Sequence, residues 1–293
     1  MPLGAITNAP MREHTSFHIG GAADLLFIPK STDELVFALN CAESFGVPVF
    51  VMGNGSNLLV HDRGIRGLVI KIKGSEAQIE FDDEHCTMTV SASTLFSVAV
   101  KRSVDAGFMG LEWGAGIPGT VGGAISMNAG AYGGEVKNCI KSVDALVKEN
   151  GSYKVKRFDV CDSDMGYRYS RFSYPEFIIT GAEFTLMKDD GEAAQRMAEY
   201  TLKRTSKQPL SYPSAGSVFK RPVGHFAGAL IEQAGLKGKS VGGAQVSELH
   251  AGFIINTGNA TADDVCRLIK LIKEKVHDES GVMLEEELKI TGG

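Results

Sequence analysis

The chain has 293 residues, with 35 acidic against 30 basic side chains and a formal net charge of −5. That balance gives no global basic field for nucleic acid or anionic lipid, and no apolar run reaches the roughly 18 residues that crossing a bilayer requires. Only glycine departs from ordinary composition, at 35 of 293 residues, about 12% against an average near 7%.

The opening stretch Met1–Pro10 has neither a basic start nor an apolar core, so no signal peptide is expected there. Five cysteines are scattered, with no Cys-x-x-Cys pair. This predicts reduced thiols in a cytoplasmic protein, without a disulfide framework or a metal site.

Ser31-Thr32-Asp33-Glu34 has the form of a capping box. Leu35, Leu39 and Ala42 follow at helical spacing, and Gly46 is a natural stop. Val47–Met52 is short, apolar and β-branched, which predicts a buried strand. It runs into Gly53-Asn54-Gly55-Ser56-Asn57, and the carboxyl end of a strand is where α/β sheets place ligands. Leu68–Lys73 and Cys86–Ser91 alternate as strands, and Leu95–Val104 reads as a helix capped by Ser93 or Thr94.

Residues 112–134 contain eight glycines in 23 positions, too little side chain to serve as core. Ile117-Pro118-Gly119 and Gly122-Gly123 read as turn punctuation, with Ser126 and Asn128 adding hydrogen-bonding groups. Glycine serves where backbone takes positive φ or comes close to something else. The first loop can be an anion-binding nest or a tight turn. It is not a Walker A loop, because no Gly-Lys-[Ser/Thr] follows, and it is not a Gly-x-Gly-x-x-Gly fingerprint. Two such backbone-rich segments favour an extended dinucleotide such as FAD.

Further on, Asn150-Gly151 between Val143–Val147 and Tyr153–Phe158 signals a hairpin. Phe177–Leu186 is another strand. A helix is predicted over 192–206. Val265, Leu268, Ile269, Ile272 and Val276 make the strongest helical stripe, ended by Gly281. Val282–Ile290 is expected to finish as a strand. The class is α+β, with a ligand-binding region over about 15–188 and a second domain from about 190.

Three places carry possible chemistry. Arg168 stands among aromatics in Gly-Tyr-Arg-Tyr-Ser and can steady an oxyanion or sit in a surface ion pair or cation–π contact. Ser217, in a small-residue turn, can pass a proton or cap a turn. In Leu284-Glu285-Glu286-Glu287-Leu288, alternation puts Glu285 and Glu287 on one face, either as a solvated edge or as a working carboxylate.

Several of these segments together resemble the UDP-N-acetylenolpyruvoylglucosamine reductase family. They include His14-Thr15-Ser16-Phe17-His18-Ile19-Gly20-Gly21, Gly53–Val60, Ile117–Gly123, Asn128–Gly133, Tyr167-Arg168, Ala215–Lys220, His250–Phe253 and Gly281–Glu285. The resemblance spans nearly the whole chain. It implies an FAD-binding region of the vanillyl-alcohol-oxidase type, with lobes over 1–70 and 71–189, and a substrate domain over 190–293. It also implies a cytoplasmic enzyme of peptidoglycan precursor synthesis, monomeric and independent of nucleic acid or membrane. NADPH reduces FAD, and UDP-GlcNAc-enolpyruvate is then reduced to UDP-N-acetylmuramate.

By this pattern Arg168, Ser217 and Glu285 are catalytic, with Ser217 protonating the α-carbon. Gly53, Asn54, Gly55, Ser56, Asn57, Ile117, Pro118, Gly119, Gly122, Gly123, Ser126 and Asn128 bind the cofactor. Tyr167, Lys220, Arg221 and His250 meet the substrate. The chain departs from the pattern at Arg221, where relatives often carry asparagine, and at Leu249, where lysine is common. It matches the shorter form, without the tyrosine-bearing loop of the longer one. Lys203, Arg204 and Lys207 are candidates for the UDP diphosphate or for a solvated helix face.

Overall fold

The computed structural model describes residues 4–73 and 78–293; the first three residues of the N-terminal stretch lie outside it. Three sheets organise the molecule. The first runs Ile6–Pro10, Ala22–Phe27, Ile65–Lys71, Val49–Met52. Its first pair is antiparallel and the other two pairs are parallel. Parallel neighbours need a crossover, and helix α1 (Thr32–Ser44) supplies part of it. Ser31 Oγ accepts the Glu34 N–H at the start of α1, and Gly46 takes φ +62° just past its end. Its apolar stripe packs on Leu68 and Ile70, and on Leu146 and Ile178 of the next lobe. Val49–Met52 is an edge strand, not the buried one expected, with Val49 38% exposed. Its free side faces a cleft between the lobes.

The second sheet is wholly antiparallel, in the order Ser152–Asp159, Ile140–Glu149, Ile178–Thr185, Thr87–Ser91, Ile79–Asp82. Asn150 and Gly151 both take positive φ in its hairpin, as the sequence signals. Helix α2 (Phe96–Asp105) has Leu95 at its N-cap, with no side-chain bond from Ser93 or Thr94. Instead its Phe96 N–H donates to the Gly119 carbonyl at 2.9 Å. The middle of the glycine run folds as a short helix, α3 (Val121–Met127), where the sequence suggested only turns. Thr120 Oγ1 caps it by accepting the Gly123 N–H. Helix α4 (Ala193–Lys207), expected to open the substrate domain, packs Met197 and Tyr200 on the core of the second lobe instead.

The third sheet runs Ser214–Ser217, Phe253–Asn256, Ala244–Val246, Ser240–Val241. Helices α5 (Ala227–Gln233) and α6 (Ala262–Ser280) cover it. The predicted α6 stripe is buried from Val265 to Val276, and Gly281 ends the helix at φ +70°. Phe17, Ile19 and Leu59 of the first lobe belong to this same core. The C-terminal strand Lys289–Thr291 pairs in parallel with Leu58–Val60. First lobe and third unit are therefore joined by a sheet, a shared core and a cap. In the cap, Asp62 Oδ1 and Oδ2 accept the Ala262 and Asp263 N–H groups at 2.9 and 3.0 Å. Asp62→Ala should lower stability by about 1 kcal/mol, the usual worth of an N-terminal cap, as read by denaturant unfolding. Among the described residues no helix is long and apolar enough to cross a membrane.

Candidate active site

The two glycine segments touch. A Cβ on Gly53 would lie 2.4 Å from Thr120 Oγ1, and one on Gly55 would lie 2.6 Å from the His14 carbonyl oxygen. Asn54 Nδ2 donates to the Pro118 carbonyl at 2.7 Å. The backbone N–H groups of Gly53, Asn54, Gly55 and Ser56 meet no protein acceptor among the described residues. Four free donors in one short loop, with glycine admitting close approach, form a cradle suited to a diphosphate. Gly53, Thr120, Gly122, Gly123 and Ser126 line a cleft of about 710 Å³ between the first two lobes, within the usual range for a ligand site. Further along the run, Arg204 is 9% exposed and donates to the Ala115 carbonyl at 3.0 Å and to Gln208 Oε1 at 3.2 Å. Among the described residues no carboxylate pairs with it, and burial pulls its pKa down. Lys203 and Lys207, by contrast, are exposed.

Asn128 does not face this cleft as a cofactor ligand. It is fully buried, its Nδ2 donates to Glu135 Oε2 and the Gly166 carbonyl, and its Oδ1 accepts the Lys137 N–H. Both of its N–H donors and one lone pair of its oxygen are already used inside the protein. Its work is to hold the hairpin that carries Arg168.

That hairpin pairs Met165–Gly166 with Tyr169–Ser170, leaving Tyr167 and Arg168 at the turn. Arg168 takes φ +53°, a left-handed conformation that costs a non-glycine residue roughly 1–2 kcal/mol. Its Nε donates to Glu287 Oε1 at 2.7 Å and its Nη2 to the Gly130 carbonyl at 3.1 Å. The two side chains are 19% and 15% exposed. Burial raises the Glu287 pKa, and the nearby Arg168 only partly offsets it. Asn57 Nδ2 donates to the Glu287 carbonyl at 3.1 Å, which ties the first loop to the same point.

Glu285, the carboxylate expected here, is 71% exposed and pairs with the Lys220 ammonium. Glu287 takes its place against Arg168. The physical reason is a cross-strand contact: Val218 O accepts both the Glu287 and the Leu288 N–H groups, at 2.8 and 3.2 Å. Two successive N–H groups on one acceptor are the pattern of a bulge, and 282–288 is not a regular strand, so simple alternation fails there. Ser217 ends its strand just before Val218 and is half-buried, with Gly216 at φ +76° beside it. Its Oγ has no hydrogen-bond partner among the described residues.

Tyr167 Oη accepts the Arg221 N–H at 2.9 Å, so Tyr167, Lys220, Arg221 and Glu285 form an outer rim. The Arg221 guanidinium stacks on Phe226 at 3.9 Å. His250 lies apart, with Nδ1 accepting the Gly252 N–H at 3.1 Å and the ring edge-on to Phe253. Burial lowers its pKa, so the ring is neutral near pH 7. Glu287, which alternation sets on one face with Glu285 but which was not chosen over it, and Thr120, which sequence reasoning did not weigh by itself, are the further candidate positions here. Thr120 had one usable signal, a helix-capping residue followed by Val-Gly-Gly.

A loop of free backbone N–H groups stands beside a buried arginine–carboxylate pair in an α+β fold, and residues 23–155 match the family model described as FAD binding domain, which makes the class a flavin enzyme. Residues 208–291 match the model for the C-terminal domain of UDP-N-acetylenolpyruvoylglucosamine reductase. A reductase of that name from Alkaliphilus oremlandii is 46% identical over 98% of this chain and 93% of its own length. One from Exiguobacterium sibiricum is 43% identical over the same shares. The crystal structure of UDP-N-acetylenolpyruvylglucosamine reductase from Thermus caldophilus superposes with a TM-score of 0.79 at 34% identity, covering 98% of both chains. The chain belongs to the UDP-N-acetylenolpyruvoylglucosamine reductase family and is an FAD-dependent oxidoreductase.

Gly55→Ala tests the cradle. It forces φ +68° on a residue with a Cβ and drives that Cβ into the His14 carbonyl. A strain of roughly 1–2 kcal/mol should weaken FAD binding about tenfold, measured as the dissociation constant of the purified protein.

Proposed function

We propose that this enzyme reduces UDP-N-acetylglucosamine enolpyruvate to UDP-N-acetylmuramate for peptidoglycan precursor synthesis, using NADPH, as a monomer of the cytoplasm. The observation that carries the reading is the buried Arg168–Glu287 pair, bonded to both glycine segments through Gly130 and Asn57. FAD held by the Gly53–Asn57 loop would supply the hydride that adds to the enolpyruvyl β-carbon, with NADPH as its source. Addition there pushes negative charge onto the α-carbon and its carboxylate. Arg168 meets that charge with a cation that does not titrate, held rigid by two hydrogen bonds. Glu287, whose pKa burial pushes up against the opposing pull of Arg168, shares a proton with the developing enolate when it is in its neutral form. Ser217 gives the α-carbon its proton.

The backbone of Gly53–Asn57, Ile117–Gly119, Gly122 and Gly123, with Ser126, holds the dinucleotide. Lys220, Arg221 and Tyr167 receive the anionic nucleotide-sugar at the rim, and neutral His250 supports Phe253 behind it. The test is NADPH oxidation by the purified yellow protein, with and without UDP-GlcNAc-enolpyruvate. Oxidation that does not rise when the enolpyruvyl sugar is added would sink the assignment.

A further inference from the structure

We propose that Lys71 is a binding residue for the diphosphate of the dinucleotide, acting from beneath the Gly53–Asn57 loop. The inference rests on the FAD reading and deepens it. Lys71 ends the strand Ile65–Lys71 and stands in register with Met52, the last residue before the loop. Its side chain is buried, at 7% exposure. The ammonium donates to one protein atom, the His14 carbonyl oxygen at 3.2 Å. Among the described residues no carboxylate pairs with it.

A buried charge without a counter-ion is unfavourable, and the surroundings make matters worse. Burial first and Lys73 second pull the Lys71 pKa down, and the adjacent His14 is depressed by burial and by Lys71 itself. Nothing local repays this arrangement, so an anion from outside the chain is the natural complement. An ammonium carries three donors, and two remain unused here.

The loop above supplies the rest of the site. The His14 carbonyl that accepts from Lys71 is the same oxygen that a Cβ on Gly55 would strike. Gly55 O accepts the Ser16 N–H at 3.2 Å, fixing the loop over this segment. Gly55, within the loop of free N–H groups, and the Lys71 ammonium thus both lie against the His14 carbonyl. Backbone donors arranged as a nest, backed by a cation in a dry place, match a diphosphate better than any neutral group.

The test uses the full-length protein with Lys71→Met and Lys71→Gln. FAD release on dilution is followed by the fluorescence of the free dinucleotide, and ADP and adenosine are compared as competitors. Melting of the flavin-free protein is recorded alongside. Both variants should bind FAD at least tenfold more weakly. The ratio by which ADP outcompetes adenosine should fall by a similar factor. Flavin-free Lys71→Met should melt no lower than the parent, because a buried charge has been removed. If FAD binds the parent but the ADP-to-adenosine ratio is unchanged in both variants, the lysine assignment is overturned and the FAD reading stands. If ADP and adenosine weaken equally and the flavin-free variants melt lower, the lysine is structural and the assignment is also overturned. A parent protein that binds no FAD overturns the cofactor reading itself.

Discussion

Ser217→Ala should leave reduction of the bound flavin by NADPH close to the parent rate, while steady-state turnover with the enolpyruvyl sugar falls roughly a hundred- to a thousand-fold, the usual loss for one preorganised group. The two half-reactions make different demands on the protein. In the proposed scheme the first needs the dinucleotide cradle and NADPH, and among the described residues Ser217 makes no hydrogen bond to that cradle. The second adds a hydride and a proton across one double bond, and the proton has to come from somewhere close. Ser217 adjoins Val218, whose carbonyl holds the Glu287 N–H at 2.8 Å, so its position is fixed relative to the arginine–carboxylate pair. Stopped-flow bleaching of the flavin, followed by re-oxidation with the enolpyruvyl sugar, separates the steps. Equal slowing of both would mean that the serine shapes the pocket rather than donating a proton.

Much of this architecture is legible in the sequence because it rests on periodicity and on capping. The stripe of α6 and the Ser31 start and Gly46 stop of α1 are local signals, and tertiary packing does not override them. The two glycine segments are legible for a different reason: composition alone says that backbone must come close to something. What composition does not say is which polar neighbours face the ligand. Asn128 looks like a ligand group from its place in the run, yet it spends every bond on Glu135, Gly166 and Lys137. A short amide serves a cofactor or its own backbone equally well, and only the fold decides.

The carboxylate was harder still. Alternation puts Glu285 and Glu287 on one face, and no rule of spacing separates them. The bulge that separates them comes from Val218, some seventy residues away in sequence. Lys71 is the extreme case, one lysine at the end of an apolar strand, with nothing in its neighbours to announce that it is buried.

Glu287→Gln is expected to lower turnover with the enolpyruvyl sugar roughly a hundredfold, within the usual range for a positioned acid, and to remove part of its pH dependence. Burial raises the folded-state pKa of Glu287 despite the adjacent Arg168. The neutral carboxyl therefore persists above the ordinary carboxylate range. Since the neutral form holds the shared proton, turnover of the parent enzyme should be full below that raised pKa and should fall as pH rises through it. Glutamine keeps an oxygen for the Arg168 Nε and cannot ionise, so the alkaline fall should flatten while the overall rate stays low. Glu285→Gln provides the contrast. Its carboxylate is 71% exposed in an ion pair with Lys220, and such surface pairs contribute about 0–1 kcal/mol, so turnover should change by less than about fivefold. The comparison is a pH–rate profile of the three proteins with saturating NADPH. A large loss in Glu285→Gln together with a parent-like profile in Glu287→Gln would return the acid role to Glu285 and leave the buried pair as a structural clamp on the Arg168 hairpin.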